Sequence, residues 1–160
     1  MSARIRHWLM KSEPGDFSIA DLARVGVEPW TGVRNYQARN FMRQMQPGDL
    51  VFFYHSSTAV PGIAGLAKVA TLPYPDPTQF DRKSHYFDPK ATREQPRWDM
   101  VDVSFEKKFK NVLALATLKE NEEELEGLGV LQRGSRLSVQ PVTAPQARML
   151  LKMAEHNDGK

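Results

Sequence analysis

The sequence predicts an α+β fold in which helices flank a mixed, mostly antiparallel β-sheet or small β-barrel. Three observations support this. Predicted strands outnumber predicted helices, and the two kinds of element do not alternate regularly, as a doubly wound α/β fold would require. The 160 residues, 41% hydrophobic and 26% charged, are enough for one domain with a real core. We therefore expect a single domain over residues 1–160 with its core at about 6–154.

The N-terminal part is predicted to contain one strand and two helices. Residues 7–11 read as a short strand. Ser18 stands three residues before Asp21, the spacing of a capping box, and Gly26 is placed to end that first helix. Residues 35–45 predict a second helix, because apolar residues recur along one face at helical spacing. The members of that face are Ala38, Phe41, Met42 and Met45.

The rest of the chain is predicted to supply further strands and a last helix. Residues 50–55 are almost continuously apolar, which is typical of a strand covered on both faces, and residues 61–69 could pair with it. Residues 101–105 alternate apolar and polar side chains, as a half-buried strand does. Leu137 and Val139 repeat the alternation until Pro141 ends it, and the last helix begins near Thr143.

Several kinds of site are excluded by what the sequence lacks. The chain has no cysteine and its four histidines have no metal-ligand spacing, so we expect neither a metal nor a cofactor. No phosphate-binding glycine loop and no GxSxG motif occurs. No apolar stretch is long enough to span a membrane and no secretory signal is visible, so we expect a cytoplasmic protein that does not contact membranes.

Charge is distributed unevenly along the chain, whose net charge is +3. Residues 30–46 carry three arginines and no acid, and residues 127–154 are also basic, whereas acids cluster at 120–126. This separation is what a surface that meets phosphates would show, although two solvated faces of opposite sign would look the same.

The segment from Trp30 to Asn40 combines an aromatic side chain, a glycine, a cation and several amides in a loop and the first turns of a helix. A nucleobase offers a π-face and polar edges, and aromatic and amide side chains are suited to bind them. The alternative is that Trp30 is a core residue and that Arg34 and Asn35 only cap the helix. For Trp98, core residue and cage wall are equally open interpretations.

Seven segments together resemble the EVE domain family, in order and over nearly the whole chain. They are WLMKSEP at 8–14, WTGVRNYQARN at 30–40, GDLVFFYHS at 48–56, YPDP at 74–77, PRW at 96–98, MVDV at 100–103 and RLSVQPV at 136–142. The resemblance implies a PUA-like fold and kinship with the YTH readers, which hold a methylated base in an aromatic cage. It also implies that family members read modified cytosine or adenine in DNA or RNA.

Carried over by position, the resemblance implies a set of site residues. Trp30 and Trp98 become the walls of an aromatic cage. The implied polar contacts to the base and its sugar or phosphate are Lys11, Ser12, Arg34, Asn35, Tyr54, His55 and Ser56. We expect Arg39, Arg43 and Arg136 to contact phosphates, so that affinity falls with salt.

Our leading hypothesis is therefore a non-catalytic, monomeric binding module that reads a modified nucleobase in DNA or RNA. Two alternatives remain. A base-modifying enzyme would need a positioned acid or base, for which Glu13 or His55 is available. A sensor of a free nucleoside or another planar metabolite would use the same pocket, and its binding would be insensitive to salt.

Overall fold

A six-stranded mixed sheet organises the computed structural model, which describes residues 6–134 and 136–159. The strands are β1 (His7–Ser12), β2 (Val27–Pro29), β3 (Leu50–His55), β4 (Gly62–Val69), β7 (Asp102–Ala114) and β8 (Val139–Val142), with β5 (Tyr74–Pro75) and β6 (Asp99–Met100) forming a separate pair. The helices are α1 (Ile19–Val25), α2 (Tyr36–Met42), α3 (Leu115–Glu120) and α4 (Ala144–Asp158). Short 3-10 turns lie at Pro77–Phe80 and Gly129–Leu131.

The strand order across the sheet is β2-β7-β4-β3-β1-β8. In the part of the chain that the structure describes, β1 and β3 form the one parallel pair and every other pair is antiparallel. The sheet curls into a half-barrel with β2 and β8 at its edges, which confirms the predicted mixed, mostly antiparallel architecture. The parallel pair requires a crossover, and α1, β2 and α2 provide it.

Both faces of the sheet are covered, so the domain has two hydrophobic cores. Side chains of successive strand residues point to opposite faces, and accordingly Phe53 belongs to the first core and its neighbour Phe52 to the second. The first core is closed by α1 and α2 and includes Trp8, which is fully buried. The second core is closed by α3 and α4.

Locally encoded features agree with the sequence analysis. Ser18 and Asp21 form the predicted capping box of α1, and Gly26 ends the helix with φ of +83°. Thr143 caps α4. The predicted pairing of 61–69 with 50–55 is confirmed as the β3–β4 ladder.

Three predictions about element boundaries were wrong. Helix α2 ends at Met42 rather than residue 45, because the amides of Gln44 and Met45 bond three residues back and tighten the last turn. Pro141 lies inside β8 instead of ending a strand, which an edge strand allows. Strand β7 runs far beyond residue 105, and irregularities in its pairing with β4 break the alternation that would have revealed its length.

Among the described residues, none of the helices combines the length and the apolar character needed to cross a membrane.

Candidate functional site

A cavity of about 440 Å³ opens beside the first core, between the end of β1, the segment 28–34 and a long loop. It is lined by Lys11, Ser12, Glu13, Asp16, Phe17, Glu28, Pro29, Trp30, Thr31, Gly32, Val33, Arg34, Tyr86 and Ser138. Its size is that of a small-ligand site. Of the nine predicted ligand-binding residues, the structure brings four to this cavity: Lys11, Ser12, Trp30 and Arg34.

Trp30 forms one wall of the cavity, and contacts with the protein core hold it in position. Its ring meets Phe53 edge to face, with ring centroids 5.5 Å apart, and its backbone N–H donates to the carbonyl of Val101 at 2.9 Å. The side chain is 9% exposed. Trp30 is thus both a core residue and part of the cavity surface, so the two alternatives considered for it are compatible.

The tyrosine of the cavity, Tyr86, lies on the loop formed by residues 81–98, which contains no helix or strand. Its ring packs directly on Gly32, where an added Cβ would lie only 2.5 Å from the ring atom Cζ. Gly32 also has φ of +86°, a conformation that favours glycine. Tyr86 was not predicted as a site residue, because nothing in the local sequence distinguishes it from any other loop tyrosine.

Arg34 ties this loop to the cavity. Its Nε and one terminal nitrogen donate to the carbonyl oxygen of Tyr86, at 3.0 and 2.8 Å. The remaining donations go to the Val33 carbonyl at 2.9 Å, to Asp76 Oδ2 at 3.1 Å and to Thr78 Oγ1 at 2.9 Å. A guanidinium has five N–H donors, so all of them are engaged. Its Cζ lies 5.4 Å from the centroid of the Tyr86 ring.

Two buried polar side chains hold the base of the loop. Asp76 is fully buried and also accepts from the N–H of Gly32 at 2.8 Å and from the amide and hydroxyl of Thr78. Gln79, also fully buried, donates to the carbonyls of Asp76 and Trp98 and accepts from the amides of Arg97 and Trp98. Buried polar groups in folded proteins are generally hydrogen-bonded. These bonds therefore give the base of the loop a defined conformation.

Trp98 does not line the cavity in this structure. It is 5% exposed, its indole N–H donates to Asp88 Oδ2 at 2.8 Å, and its ring stacks on Tyr36 with centroids 4.7 Å apart. The Arg34 guanidinium lies 5.5 Å from its ring centroid. Its role as a cage wall stays a prediction, and it would require Arg34 or Tyr36 to move.

One side of the cavity is polar and is formed by Lys11 and Ser12. Partial burial lowers the pKa of Lys11, and its ammonium lies 5.9 Å from the centroid of the Tyr54 ring. The Ser12 hydroxyl donates to the carbonyl of Phe17 at 2.6 Å, which leaves its oxygen able to accept. Three carboxylate residues of the lining, Glu13, Asp16 and Glu28, were not among the predicted contacts.

Four other predicted contacts lie outside the cavity lining. The Asn35 side chain caps α2 by accepting from the Ala38 amide at 3.0 Å, which is the structural alternative considered for it. Tyr54 is buried in the second core, and burial raises the pKa of its hydroxyl.

His55 and Ser56 serve the junction between β3 and α1. Nε2 of His55 accepts from the amide of Ile19, the first residue of α1, at 3.1 Å. Burial, and then the nearby charge of Lys108, lower the pKa of His55. The amide of Ser56 donates to the carbonyl of Ser12 at 3.0 Å, beside the cavity. Whether these side chains contact a ligand stays a prediction.

The three predicted phosphate contacts have different surroundings. Within the described part of the chain, Arg39 donates only to neutral oxygens, those of the Asn40 side chain and the Arg97 carbonyl. Arg43 is paired with the carboxylate of Asp99. Arg136 is exposed and stands two residues before Ser138, which lines the cavity.

Over residues 6–134 and 136–159, no three or more histidines and acids are grouped so as to hold a metal ion. The cavity as described offers one indole, one exposed phenol ring, carboxylate acceptors and an ammonium donor. This combination suits a planar ligand with both donors and acceptors on its edge.

Comparison with known proteins shows extensive similarity. A family model described as the EVE domain matches residues 6–153. Thymocyte nuclear protein 1 of Homo sapiens is 42% identical over 166 residues, covering 93% of this chain and 74% of the human protein. The protein of the same name from Danio rerio is 44% identical, covering 91% and 71% respectively.

Solved structures agree with these matches. A protein from Pseudomonas syringae is 55% identical with a TM-score of 0.89, covering 92% of this chain and 99% of that chain. The human THYN1 protein in complex with 5-methylcytosine-containing DNA is 41% identical with a TM-score of 0.89, covering 94% and 98%. The PUA-like fold that the sequence resemblance implied is thereby confirmed. The family match spans most of the chain and relatives share over 40% of its residues, so the chain belongs to the EVE domain family.

Proposed function

We propose that this chain is a non-catalytic module that binds DNA carrying 5-methylcytosine and holds the modified base in the cavity beside Trp30 and Tyr86. The observation that carries the proposal is the similarity to the human THYN1 protein. That protein was solved in complex with 5-methylcytosine-containing DNA, and it matches 94% of this chain with a TM-score of 0.89.

The chemistry of the cavity supports a cytosine ligand. The exocyclic N4 amino group of cytosine donates hydrogen bonds, and carboxylates are its usual acceptors in proteins. Glu13, Asp16 and Glu28 supply carboxylates in the lining. Atoms O2 and N3 of cytosine accept, and the Lys11 ammonium is a donor in the same lining. The base would have to be unpaired or flipped out of the duplex to present this edge.

The methyl group of the modified base would be sensed by its burial. Phe17, Val33 and Trp30 give the cavity apolar surface. Burying one methyl group contributes about 0.8 kcal/mol, which corresponds to about a fourfold preference over cytosine. The phosphates beside the base would meet Arg39 and Arg136, which form no salt bridge with a described residue.

Two placements support binding rather than catalysis. His55, one of the two residues that could have served as a catalytic acid or base, accepts a hydrogen bond from α1 and lies outside the cavity lining. Glu13 does line the cavity but is exposed. General acid–base catalysis by a carboxyl group near neutral pH generally depends on burial or a charged neighbour to tune it.

The test is a binding titration with fluorescently labelled DNA oligonucleotides that differ only in one cytosine or 5-methylcytosine, at two salt concentrations. We expect tighter binding of the methylated strand, weakening with salt, and recovery of the oligonucleotide unchanged by mass spectrometry. Equal affinity for both oligonucleotides would contradict a reader of this modification. Salt-independent binding of free 5-methyldeoxycytidine with the same affinity would instead indicate a nucleoside sensor, and a new product would indicate an enzyme.

A further inference from the structure

Of two aromatic side chains in the loop of residues 81–98, one lines the cavity and the other lies outside it. Tyr86 lines the cavity and is 41% exposed, whereas Trp98 is 5% exposed and lies outside the lining. Stacking on a base requires an accessible ring face. Gly32 packs on the Tyr86 ring, but Tyr86 keeps exposed surface at the cavity, whereas Trp98 is buried and Tyr36 stacks on its ring.

Tyr86 is also held firmly for a loop residue. The ring packs on Gly32, and any side chain at position 32 would collide with it. The carbonyl of Tyr86 accepts two hydrogen bonds from Arg34, and its amide donates to Ser84 Oγ at 3.0 Å. A ring that is fixed before the ligand arrives loses little conformational entropy on binding.

The hydrogen bonds of Arg34 define its part in this arrangement. All five of its N–H donors are engaged, and its acceptors include the buried carboxylate of Asp76. A ligand atom could accept from Arg34 only if one of these bonds were broken. The guanidinium therefore acts on the loop and not on a ligand.

From these contacts we propose that Tyr86 is the residue that stacks on the bound base, and that Arg34 is a positioning residue that holds Tyr86 in place. This inference rests on the proposed function, because it takes the ligand to be a nucleobase. It reassigns the second aromatic wall from Trp98 to Tyr86. It also reassigns Arg34 from a ligand contact to a support of the loop.

The test compares the affinities of Tyr86→Ala and Tyr86→Phe for the 5-methylcytosine oligonucleotide. We expect Tyr86→Ala to weaken binding by about tenfold, the loss typical of one stacked base. Tyr86→Phe should bind like the unaltered protein, because the Tyr86 hydroxyl has no hydrogen-bond partner among the described residues. Leu72→Ala is the control, since Leu72 is an exposed apolar residue outside the cavity. Unchanged affinity of Tyr86→Ala, or an equal loss in Leu72→Ala, would overturn the assignment.

A double-mutant cycle tests the role of Arg34. If Arg34 acts through Tyr86, Arg34→Lys weakens binding when Tyr86 is present and has no further effect in the Tyr86→Ala background. Equal losses in both backgrounds would show a direct contact with DNA and overturn the positioning role. Should Arg34→Lys fail to fold, Thr78→Val replaces it in the same cycle, because it removes one acceptor of Arg34 and lies outside the cavity lining.

These outcomes can be separated from a failure of the proposed function. If the unaltered protein bound methylated and unmethylated DNA equally, the preference for 5-methylcytosine would be wrong. The tyrosine comparison would still show, on either oligonucleotide, whether Tyr86 stacks on a base.

Discussion

Arg39 and Arg43 lie one helical turn apart in sequence, yet their charges are compensated differently. Among the described residues, Arg39 bonds only neutral oxygens; partial burial and then the charge of Arg43 lower its pKa, and the charge of Asp99 offsets part of that effect. Arg43 is paired with Asp99 directly. A guanidinium without a direct ion pair attracts a phosphate more strongly than one already paired with a carboxylate.

We therefore expect the two arginines to differ in their effect on the salt dependence of DNA binding. Each phosphate that is neutralised contributes about 0.9 to the slope of log K against log salt concentration. Arg39→Gln should reduce the magnitude of that slope by about this amount, and Arg43→Gln should reduce it less. The measurement is a titration of the labelled oligonucleotide at several salt concentrations. A larger reduction for Arg43→Gln would show that Asp99 releases Arg43 on binding.

Single residues also show how far a sequence can identify a site. The resemblance placed Lys11, Ser12, Trp30 and Arg34 in one site, and all four line the cavity. It could not show that the donors of Arg34 are used up, because their acceptors lie as far as 52 residues away in the chain. Tyr86 could not be predicted for the same reason, because its position at the cavity depends on contacts with Gly32 and Arg34.

At the scale of elements, His55 links the end of β3 to the start of α1. Its Nε2 accepts from the amide of Ile19, which only an unprotonated nitrogen can do. Burial, and then Lys108, lower the pKa of His55 below its ordinary value of 6.5. The folded state therefore binds the proton of His55 less readily than the unfolded state does.

The direction of this pKa shift determines how the free energy of unfolding should vary with pH. Well above pH 6.5 the histidine is neutral in both states and its contribution to stability is complete. As the pH falls through 6.5, the unfolded chain takes up the proton first, so the free energy of unfolding decreases. We expect urea unfolding to show this decrease between pH 7.5 and 5.5, and His55→Gln, which keeps an acceptor but cannot titrate, to reduce its slope. His7, whose pKa burial also lowers, should leave a residual slope. An unchanged slope in His55→Gln would contradict the assignment.

Helices, strands and loops differ in how well the local sequence predicts them. The capping box of α1 and its terminal Gly26 were predictable, because their signals lie within a few residues of each other. Strand β2 has only three residues and shows no periodicity, so it was missed. The loop of residues 81–98 is defined by distant groups, chiefly the buried side chains of Asp76 and Gln79. Local sequence patterns do not predict hydrogen bonds between residues that are distant in the chain.

For the whole molecule, the decisive feature is one sheet that serves two cores. The mixed, mostly antiparallel class was predictable from the number and spacing of strands. The parallel pairing of β1 with β3 was not, because alternation identifies a strand but not its neighbour. That pairing sets the position of the cavity, since it brings the end of β1 beside the crossover segment that carries Trp30.

Sharing one sheet should make the two cores unfold together. Phe52 and Phe53 are adjacent, fully buried and directed into different cores, so they form a matched pair of probes. We expect Phe52→Leu and Phe53→Leu each to destabilise the protein by about 1–3 kcal/mol in a single cooperative transition.

Fluorescence distinguishes the two cores, because two of the three tryptophans, Trp8 and Trp30, belong to the first core and none belongs to the second. Far-UV circular dichroism reports the secondary structure of the whole chain. If the strands transmit the loss of packing across the sheet, both signals should change with the same midpoint in each variant, including Phe52→Leu, whose altered side chain lies in the second core. A circular dichroism change in Phe52→Leu that precedes the fluorescence change would mean that α3 and α4 unfold alone. The cavity would then depend on the first core only.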